Sequence, residues 1–164
     1  MLVLGLDLET TGLDVGSCEI IEIGAVLWDW ERQIPVKMLS ELVHCGTPIP
    51  ELVTKLTGIR DADLLRWGIP MTDALIKLHD IAREAEFIVA HNGVGFDHLF
   101  LDRQWIKHPE TRIHKGWIDT LTDLRYPDSI GTRKLTYLAA EHGFLNPFSH
   151  RAVFDVLTML KVFS

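Results

Sequence analysis

Two acidic residues, Asp7 and Glu9, stand at the end of a short apolar segment. Alternate residues of a β-strand project to the same side, so both carboxylates would point together while Leu6 and Leu8 face the other way. Two such carboxylates repel each other unless a cation neutralises them, and hard oxygen ligands suit Mg²⁺ or Mn²⁺. The pair therefore indicates a divalent-cation site; the alternative is that both carboxylates simply face solvent at a strand end.

Two further acidic residues, Asp97 and Asp155, lie next to apolar segments, where a charged side chain is unexpected. Asp97 closes the segment His91-Asn92-Gly93-Val94-Gly95-Phe96-Asp97, which follows an apolar strand and opens a predicted helix. There its carboxylate either binds a cation or only complements the helix dipole. Asp155 lies in the strongly apolar stretch 153–157, where a carboxylate is costly unless it is paired or binds a metal.

His150 precedes Asp155 by five residues. A helix turns about 100° per residue, so on one helix the two side chains would lie about 140° apart and could not share a face. We therefore expect His150 in the loop or first turn before the helix, above a site to which Asp155 contributes. The alternative is an ordinary surface-loop histidine.

The elements that would position these residues follow from apolar periodicity and turn residues. Strands are predicted over residues 3–8, 19–28, 33–44, 86–91 and 116–119, and helices over residues 50–56, 71–85, 97–106, 134–142 and 151–163. The first three strands, joined by short loops, indicate an antiparallel meander. The later alternation of strands and helices indicates an α/β fold with a mixed sheet flanked by helices. No repeat or linker divides the chain, so one domain over residues 1–164 is expected.

Taken together, the three acidic segments resemble the signatures of the DEDDh (DnaQ-like) 3′→5′ exonuclease superfamily. D-x-E-T-T-G stands at residues 7–12, a histidine-asparagine segment ending in F-D at 91–97, and H-x-A-x-x-D at 150–155. Residues 19–26, 56–59 and 118–120 are similar to the second strand of that family, to its loop touching the terminal base and to its fifth strand. The resemblance spans nearly the whole chain and implies a ribonuclease H-like sheet of three antiparallel and two parallel strands.

Two departures from the family pattern concern its proofreading members. The middle segment is one residue longer than in the proofreading subunits of bacterial polymerases and is closer to the TREX-type spacing. Val156 follows Asp155, where the family commonly has alanine. Neither departure removes an acidic residue, and the first weakens a specific assignment to proofreading. The resemblance also covers ribonuclease T-like enzymes.

The resemblance implies two-metal hydrolysis of phosphodiester bonds. Two divalent cations, Mg²⁺ or Mn²⁺, would bind Asp7, Glu9, Asp97 and Asp155, with His150 as the general base. The residues implied to hold the terminal nucleotide are Thr10, Thr11, Gly12, Leu13, Thr57, Gly58, Ile59, His91, Asn92 and Phe96. For Ile59 and Phe96 the alternative is an ordinary place in the core.

The implied substrate is a nucleic-acid 3′ end, single-stranded DNA rather than RNA, from which nucleoside 5′-monophosphates are released. The alternatives are an exoribonuclease that trims RNA or short oligonucleotides, a non-catalytic binding module of the same fold, and a proofreading subunit beside a polymerase or another replication or repair partner. Two basic groups either contact the phosphates of the incoming strand or lie on a solvated surface. They are Arg112, His114 and Lys115, and Arg133 and Lys134.

Charge and composition limit the remaining possibilities. The chain has 16 basic and 23 acidic residues and a formal charge of −7. With four carboxylates holding cations, 16 basic residues would face 19 acidic ones, which suits an enzyme that grips a few nucleotides and not a protein that coats duplex. No apolar segment is long enough to span a membrane or to act as a secretory signal. Cys18 and Cys45 lack metal or redox spacing, so reduced thiols and a cytoplasmic location are predicted.

Overall fold

A computed structural model describes all residues, Met1–Ser164. Its five strands are β1 (Leu2–Thr10), β2 (Ile20–Asp29), β3 (Ile34–Leu42), β4 (Phe87–Ala90) and β5 (Gly116–Asp119). Its helices are α1 (Glu51–Thr57), α2 (Asp61–Trp67), α3 (Met71–Ala82), α4 (Asp97–Lys107), α5 (Leu135–Glu141) and α6 (Ala152–Phe163), with one 3₁₀ turn at Pro109–Thr111. None of these helices has both the length and the apolar character that crossing a bilayer requires.

The strands form one mixed sheet in the order β3-β2-β1-β4-β5. β1 pairs antiparallel with β2, and β2 with β3, whereas β4 runs parallel to β1 and β5 parallel to β4. This confirms the predicted α/β fold with three antiparallel and two parallel strands. Because β1, β4 and β5 run the same way, their carboxyl ends meet at one edge of the sheet, where the segments that follow them come together.

The predicted elements are present with ends shifted by up to three residues, and one helix was missed. α2 is only seven residues long and carries no continuous apolar stripe, since Leu65 and Trp67 are exposed. Its sequence signal was the start of the helix, where Asp63 accepts hydrogen bonds from the backbone and side chain of Arg60. α3 ends at Ala82, earlier than predicted, because the chain turns back and Glu86 donates its backbone N–H to Leu2 in the sheet.

Two apolar cores lie on opposite faces of the sheet. Leu4, Leu6 and Leu8 of β1 belong to the larger core beneath α3 and α4, and Val3 belongs to the smaller core formed with α6. α6 lies directly on the sheet at Gly24, where an added Cβ would come within 2.3 Å of the backbone nitrogen of Val153. This close approach brings the first turn of α6 against the end of β1.

Candidate active site

The end of β1 and the first turn of α6 bring acidic residues together. Asp7 and Glu9 alternate with the core residues Leu6 and Leu8, so they project toward α6, as expected from the strand period. Glu9, His150 and Asp155 each offer a ligand atom, and these atoms lie within 4.8 Å of one another. Asp7, His150 and Asp155 also line one cavity of about 620 Å³. The residues of the first and third sequence segments therefore converge on one site.

Asp97, at the start of α4, contributes a further carboxylate next to β1. Its side chain is only 2% exposed, and its Oδ1 accepts the backbone N–H of Leu8 at 2.8 Å. This contact fixes the carboxylate beside the strand that carries Asp7 and Glu9. A group that only complemented the helix dipole would normally sit in solvent, so burial favours the interpretation of Asp97 as part of the acidic cluster.

The carboxyl groups of this cluster are largely buried, so water solvates their ionised forms poorly. Burial, followed by the charge of Asp97, raises the pKa of Asp7 well above its ordinary value. Burial raises the pKa of Glu9 and that of Asp97 to about 8 in each case, and burial also raises the pKa of Asp155. Both burial and like charge disfavour the ionised forms. A divalent cation would offset both, and the set of carboxylate oxygens is the kind that Mg²⁺ and Mn²⁺ bind.

His150 lies in the loop before α6, as predicted, with its side chain exposed. Its backbone is in the left-handed region, at φ 64°, which costs a non-glycine residue about 1–2 kcal/mol. In this conformation its N–H donates to Oδ2 of Asp155 at 2.8 Å, while Nδ2 of Asn146 donates to Oδ1 at 2.8 Å. The loop thus orients the carboxylate and places the imidazole over it.

A buried ion pair that the sequence analysis missed anchors this loop. Glu22 of β2 is 0% exposed and accepts hydrogen bonds from Nε and from the terminal nitrogen Nη2 of Arg151, the latter at 2.7 Å, and from the backbone N–H of Ala152 at 3.0 Å. Glu22 is also paired with Glu9 across the β1–β2 ladder. The available signal was an acidic residue in an otherwise apolar strand, which needs a partner when buried.

Asp119, at the end of β5, holds the loop that leads to Asp97. Its carboxylate is 1% exposed and accepts the backbone N–H groups of Asn92, Val94 and Leu121 at 2.8, 3.0 and 2.9 Å. These bonds fix the predicted site residue Asn92 in a left-handed conformation, at φ 66°. From the sequence, Asp119 is similar only to a residue in the fifth strand of the family, and no role is predicted for it.

His91 lines the cavity, and both of its ring nitrogens are hydrogen-bonded to other protein atoms. Nδ1 lies 2.8 Å from Oγ1 of Thr120, and Nε2 lies 2.8 Å from the backbone carbonyl oxygen of Arg133. Burial lowers the pKa of this imidazole. In this arrangement His91 connects the end of β4 to two other segments, and its predicted contact with substrate stays a prediction.

The other predicted nucleotide contacts lie at two further places. Thr10 and Thr11 are buried at the end of β1, and Oγ1 of Thr10 donates to the carbonyl of Gly12 at 2.6 Å. Leu13, next in the turn, is 84% exposed and so presents an apolar surface to solvent. These residues directly follow Glu9, which places the turn beside the acidic cluster.

The segment after α1 and the aromatic residue before α4 are more enclosed. Thr57 is buried, Gly58 ends α1 in a left-handed conformation, and Ile59 is 2% exposed in a small cluster with Ile21. Phe96 packs on Phe100 with ring centroids 4.9 Å apart. Core packing, the alternative considered for Ile59 and Phe96, is what both side chains do here, and their contact with a base stays a prediction.

Comparison with known proteins identifies similar sequences and folds. The RNase_T family model, described as exonuclease, matches residues 4–163. A PolC-type DNA polymerase III of Ureaplasma parvum serovar 3 is 31% identical over 159 residues, covering 96% of this chain and 11% of the polymerase. The chain thus spans about a tenth of the length of that relative.

Solved structures of exonuclease I have the same fold. One is similar with a TM-score of 0.82 and 15% identity, over 98% of this chain and 40% of the exonuclease. The zinc-bound form of an E. coli exonuclease I–single-stranded DNA complex has a TM-score of 0.79 and 15% identity, over 98% of this chain and 40% of that chain. At this identity the likeness establishes the fold.

Proposed function

This chain belongs to the RNase_T exonuclease family, and we propose that it removes nucleoside 5′-monophosphates from the 3′ end of single-stranded DNA by hydrolysis that depends on divalent cations. The observation that carries the proposal is the convergence of Asp7, Glu9, Asp97 and Asp155 with His150 at one edge of the sheet. A fold relative bound to single-stranded DNA supports this choice of substrate.

The acidic cluster is the proposed place of two divalent cations, Mg²⁺ or Mn²⁺, held by Asp7, Glu9, Asp97 and Asp155. Such ions, when bound, stabilise the negative charge that develops on the attacking and leaving oxygens of a phosphodiester. The burial that raises the pKa of Glu9 and Asp97 to about 8 supports this role, because it makes an unneutralised cluster unfavourable.

His150 is the proposed general base. Its exposed imidazole stands above Asp155 and can accept the proton of the water that attacks phosphorus, as histidines do near neutral pH. Asn146 and the backbone N–H of His150 both donate hydrogen bonds to the Asp155 carboxylate. These bonds hold the carboxylate in a defined position relative to the loop that carries the proposed base. The turn 10–13, residues 57–59, Asn92 and Phe96 are the proposed contacts to the terminal nucleotide.

Proofreading beside a polymerase is a second candidate, because a relative that is 31% identical over 159 aligned residues of this chain is a PolC-type DNA polymerase III. We propose further that residues 1–164 act as one exonuclease domain, that a polymerase or another replication or repair protein is a partner, and that the location is cytoplasmic. Co-purification with a polymerase that survives nuclease treatment tests the partner.

The decisive experiment follows 5′-labelled single-stranded DNA and RNA of matched sequence with Mg²⁺, Mn²⁺ or EDTA. We expect a ladder that shortens from the 3′ end of DNA, is abolished by EDTA and falls about 10³-fold or more in Asp155→Asn. Asp80→Asn, which changes an exposed aspartate of α3, is the matched control and should cleave normally.

Each other outcome contradicts a stated part of the proposal. Faster cleavage of RNA would reassign the substrate, and normal cleavage by Asp155→Asn would contradict the site. If the folded protein cleaves neither substrate with either cation, the proposed catalytic function is wrong and the alternative of a non-catalytic binding module is favoured.

A further inference from the structure

We propose that residues 132–136, here called the basic wall, bind the phosphates of the substrate strand upstream of the scissile bond, with Lys134 as the main cation. This inference rests on the proposed function and names a strand-binding site for it. The basic wall runs from the end of the segment between β5 and α5 into the first turn of α5, and its polar residues are Thr132, Arg133, Lys134 and Thr136.

The basic wall and the catalytic carboxylates line the same cavity. Asp7 and Asp155 contribute to the cavity of about 620 Å³ together with Arg133 and Lys134. That volume falls within the roughly 300–1,000 Å³ common for small-ligand sites, which is the size class of a nucleotide. A strand whose 3′ end reaches the carboxylates therefore has basic and hydroxyl groups within the same enclosure.

Lys134 is the basic residue of the wall whose side chain is free to bind a phosphate. Its side chain is exposed and takes part in none of the ion pairs of the protein. Arg133 is already engaged, because its guanidinium donates to the carbonyl of Leu121 at 3.2 Å and lies 5.0 Å from the ring centroid of Tyr126. An unpaired ammonium beside a substrate cavity is suited to a phosphate, which it binds as a point charge.

His91 holds the basic wall in place relative to the carboxylates. Its Nε2 donates to the carbonyl oxygen of Arg133 at 2.8 Å, and its Nδ1 bonds to Thr120 at the end of β5. His91 itself directly follows β4, the strand beside β1, which carries Asp7. The position of the wall is thus set by the sheet that carries the catalytic residues, so a phosphate site there would be preorganised.

The negative charge of the whole chain favours such a site. A polyanionic strand approaches a protein of formal charge −7 and a cluster of four carboxylates. Two cations at the carboxylates would offset repulsion at the scissile phosphate but not at the next phosphates along the strand, beyond their first contacts. Lys134 supplies positive charge where those phosphates would lie.

The test compares Lys134→Gln with Lys107→Gln on two substrates. Lys107 is also exposed and unpaired, at the end of α4, and does not line the cavity. The substrates are a single-stranded DNA of about ten nucleotides and the 4-nitrophenyl ester of thymidine 5′-monophosphate, which has a single phosphate. For Lys134→Gln we expect kcat/KM to fall about fivefold or more on the oligonucleotide, mainly through KM, and much less on the ester.

Salt dependence gives a second measurement, which loss of structure would not change in the same way. The slope of log(1/KM) for the oligonucleotide against log salt concentration should become less steep by about 0.7 in Lys134→Gln, the value for one phosphate contact on a single strand. Lys134→Arg should restore most of the oligonucleotide activity, and Lys107→Gln should resemble the wild type throughout.

Equal losses on both substrates, or an unchanged salt slope, would overturn the inference while leaving the proposed function intact. A wild-type protein that hydrolyses neither substrate would instead overturn the proposed function, and the basic wall with it.

Discussion

At the scale of single residues, the site concentrates carboxylates where water cannot solvate them. Burial raises the pKa of Glu9 and that of Asp97 to about 8, and burial with the charge of Asp97 raises the pKa of Asp7. Such a cluster destabilises the fold whenever it is ionised without a counter-charge. The ionised acidic cluster is therefore unfavourable for stability, and a bound divalent cation would offset this cost.

A pH dependence of stability follows from these raised pKa values. The folded protein holds protons on Glu9 and Asp97 up to about pH 8, whereas the unfolded chain loses them near the ordinary values of 4.5 and 3.8. Their contribution to stability is thus complete below about pH 4 and is lost as the pH rises toward about 8. In EDTA, the melting temperature should fall between about pH 6 and about pH 8.5.

Calorimetry with and without cations checks this dependence. Mg²⁺ or Mn²⁺ should raise the melting temperature more at the higher pH, because ionised carboxylates bind the cation. Asp97→Asn, which cannot ionise, should reduce the pH dependence in EDTA. A melting temperature that rises with pH in EDTA over this range would contradict the assignment.

At the scale of elements, the position of α6 decides whether the site exists. α6 lies on β1 and β2 at Gly5 and Gly24, where an added Cβ would come within 2.5 Å of Val156 and 2.3 Å of Val153. The pair formed by Glu22 and Arg151 then fixes the start of the helix, directly after His150. Packing sets the position of the helix, and the ion pair fixes the loop that carries His150.

Removing the cation of this pair should therefore affect both stability and catalysis. Arg151→Met leaves the buried Glu22 carboxylate without its main partner, and we expect a loss of about 3–5 kcal/mol in the free energy of unfolding. Urea denaturation measures this loss. The double variant Glu22→Gln/Arg151→Met removes both charges and should be clearly more stable than Arg151→Met alone. Equal stability of the two variants would show that the buried charge is not the cause.

At the scale of the whole molecule, the negative charge limits how much of a strand the protein can hold. The formal charge is −7, and outside the cavity that carries the basic wall a strand meets a surface on which acidic residues outnumber basic ones. Contacts with phosphates should therefore be restricted to the few nucleotides nearest the 3′ end.

Substrate length measures this limit directly. We expect kcat/KM for single-stranded DNA to rise from a dinucleotide to about four nucleotides and then to remain constant, because further phosphates gain no basic partner. A series of oligonucleotides up to about 20 nucleotides, at one fixed salt concentration, gives the measurement. A continued rise beyond about ten nucleotides would indicate an extended binding surface that the charge distribution does not provide.

The sequence by itself predicted the fold class and the acidic residues that the structure brings together. Asp7 and Glu9 project together because a strand alternates its faces. His150 precedes Asp155 by five positions, so the two side chains could not share one face of a helix. These are local rules, and the structure follows them at β1 and at the start of α6. The same local rules missed α2, since a seven-residue helix with exposed apolar residues has little periodicity.

Only the tertiary structure decided which distant groups would become partners. Arg151 meets Glu22 across 129 residues, His91 meets the carbonyl of Arg133 across 42, and Asp97 meets the backbone of Leu8 across 89. No local pattern encodes such contacts, because each depends on how closely α6, α4 and the segment before α5 pack on the sheet. Burial, and the raised pKa values that follow from it, arise from the same packing. The chain thus carries its chemistry in short segments, whereas the environment of that chemistry comes from contacts between residues far apart in sequence.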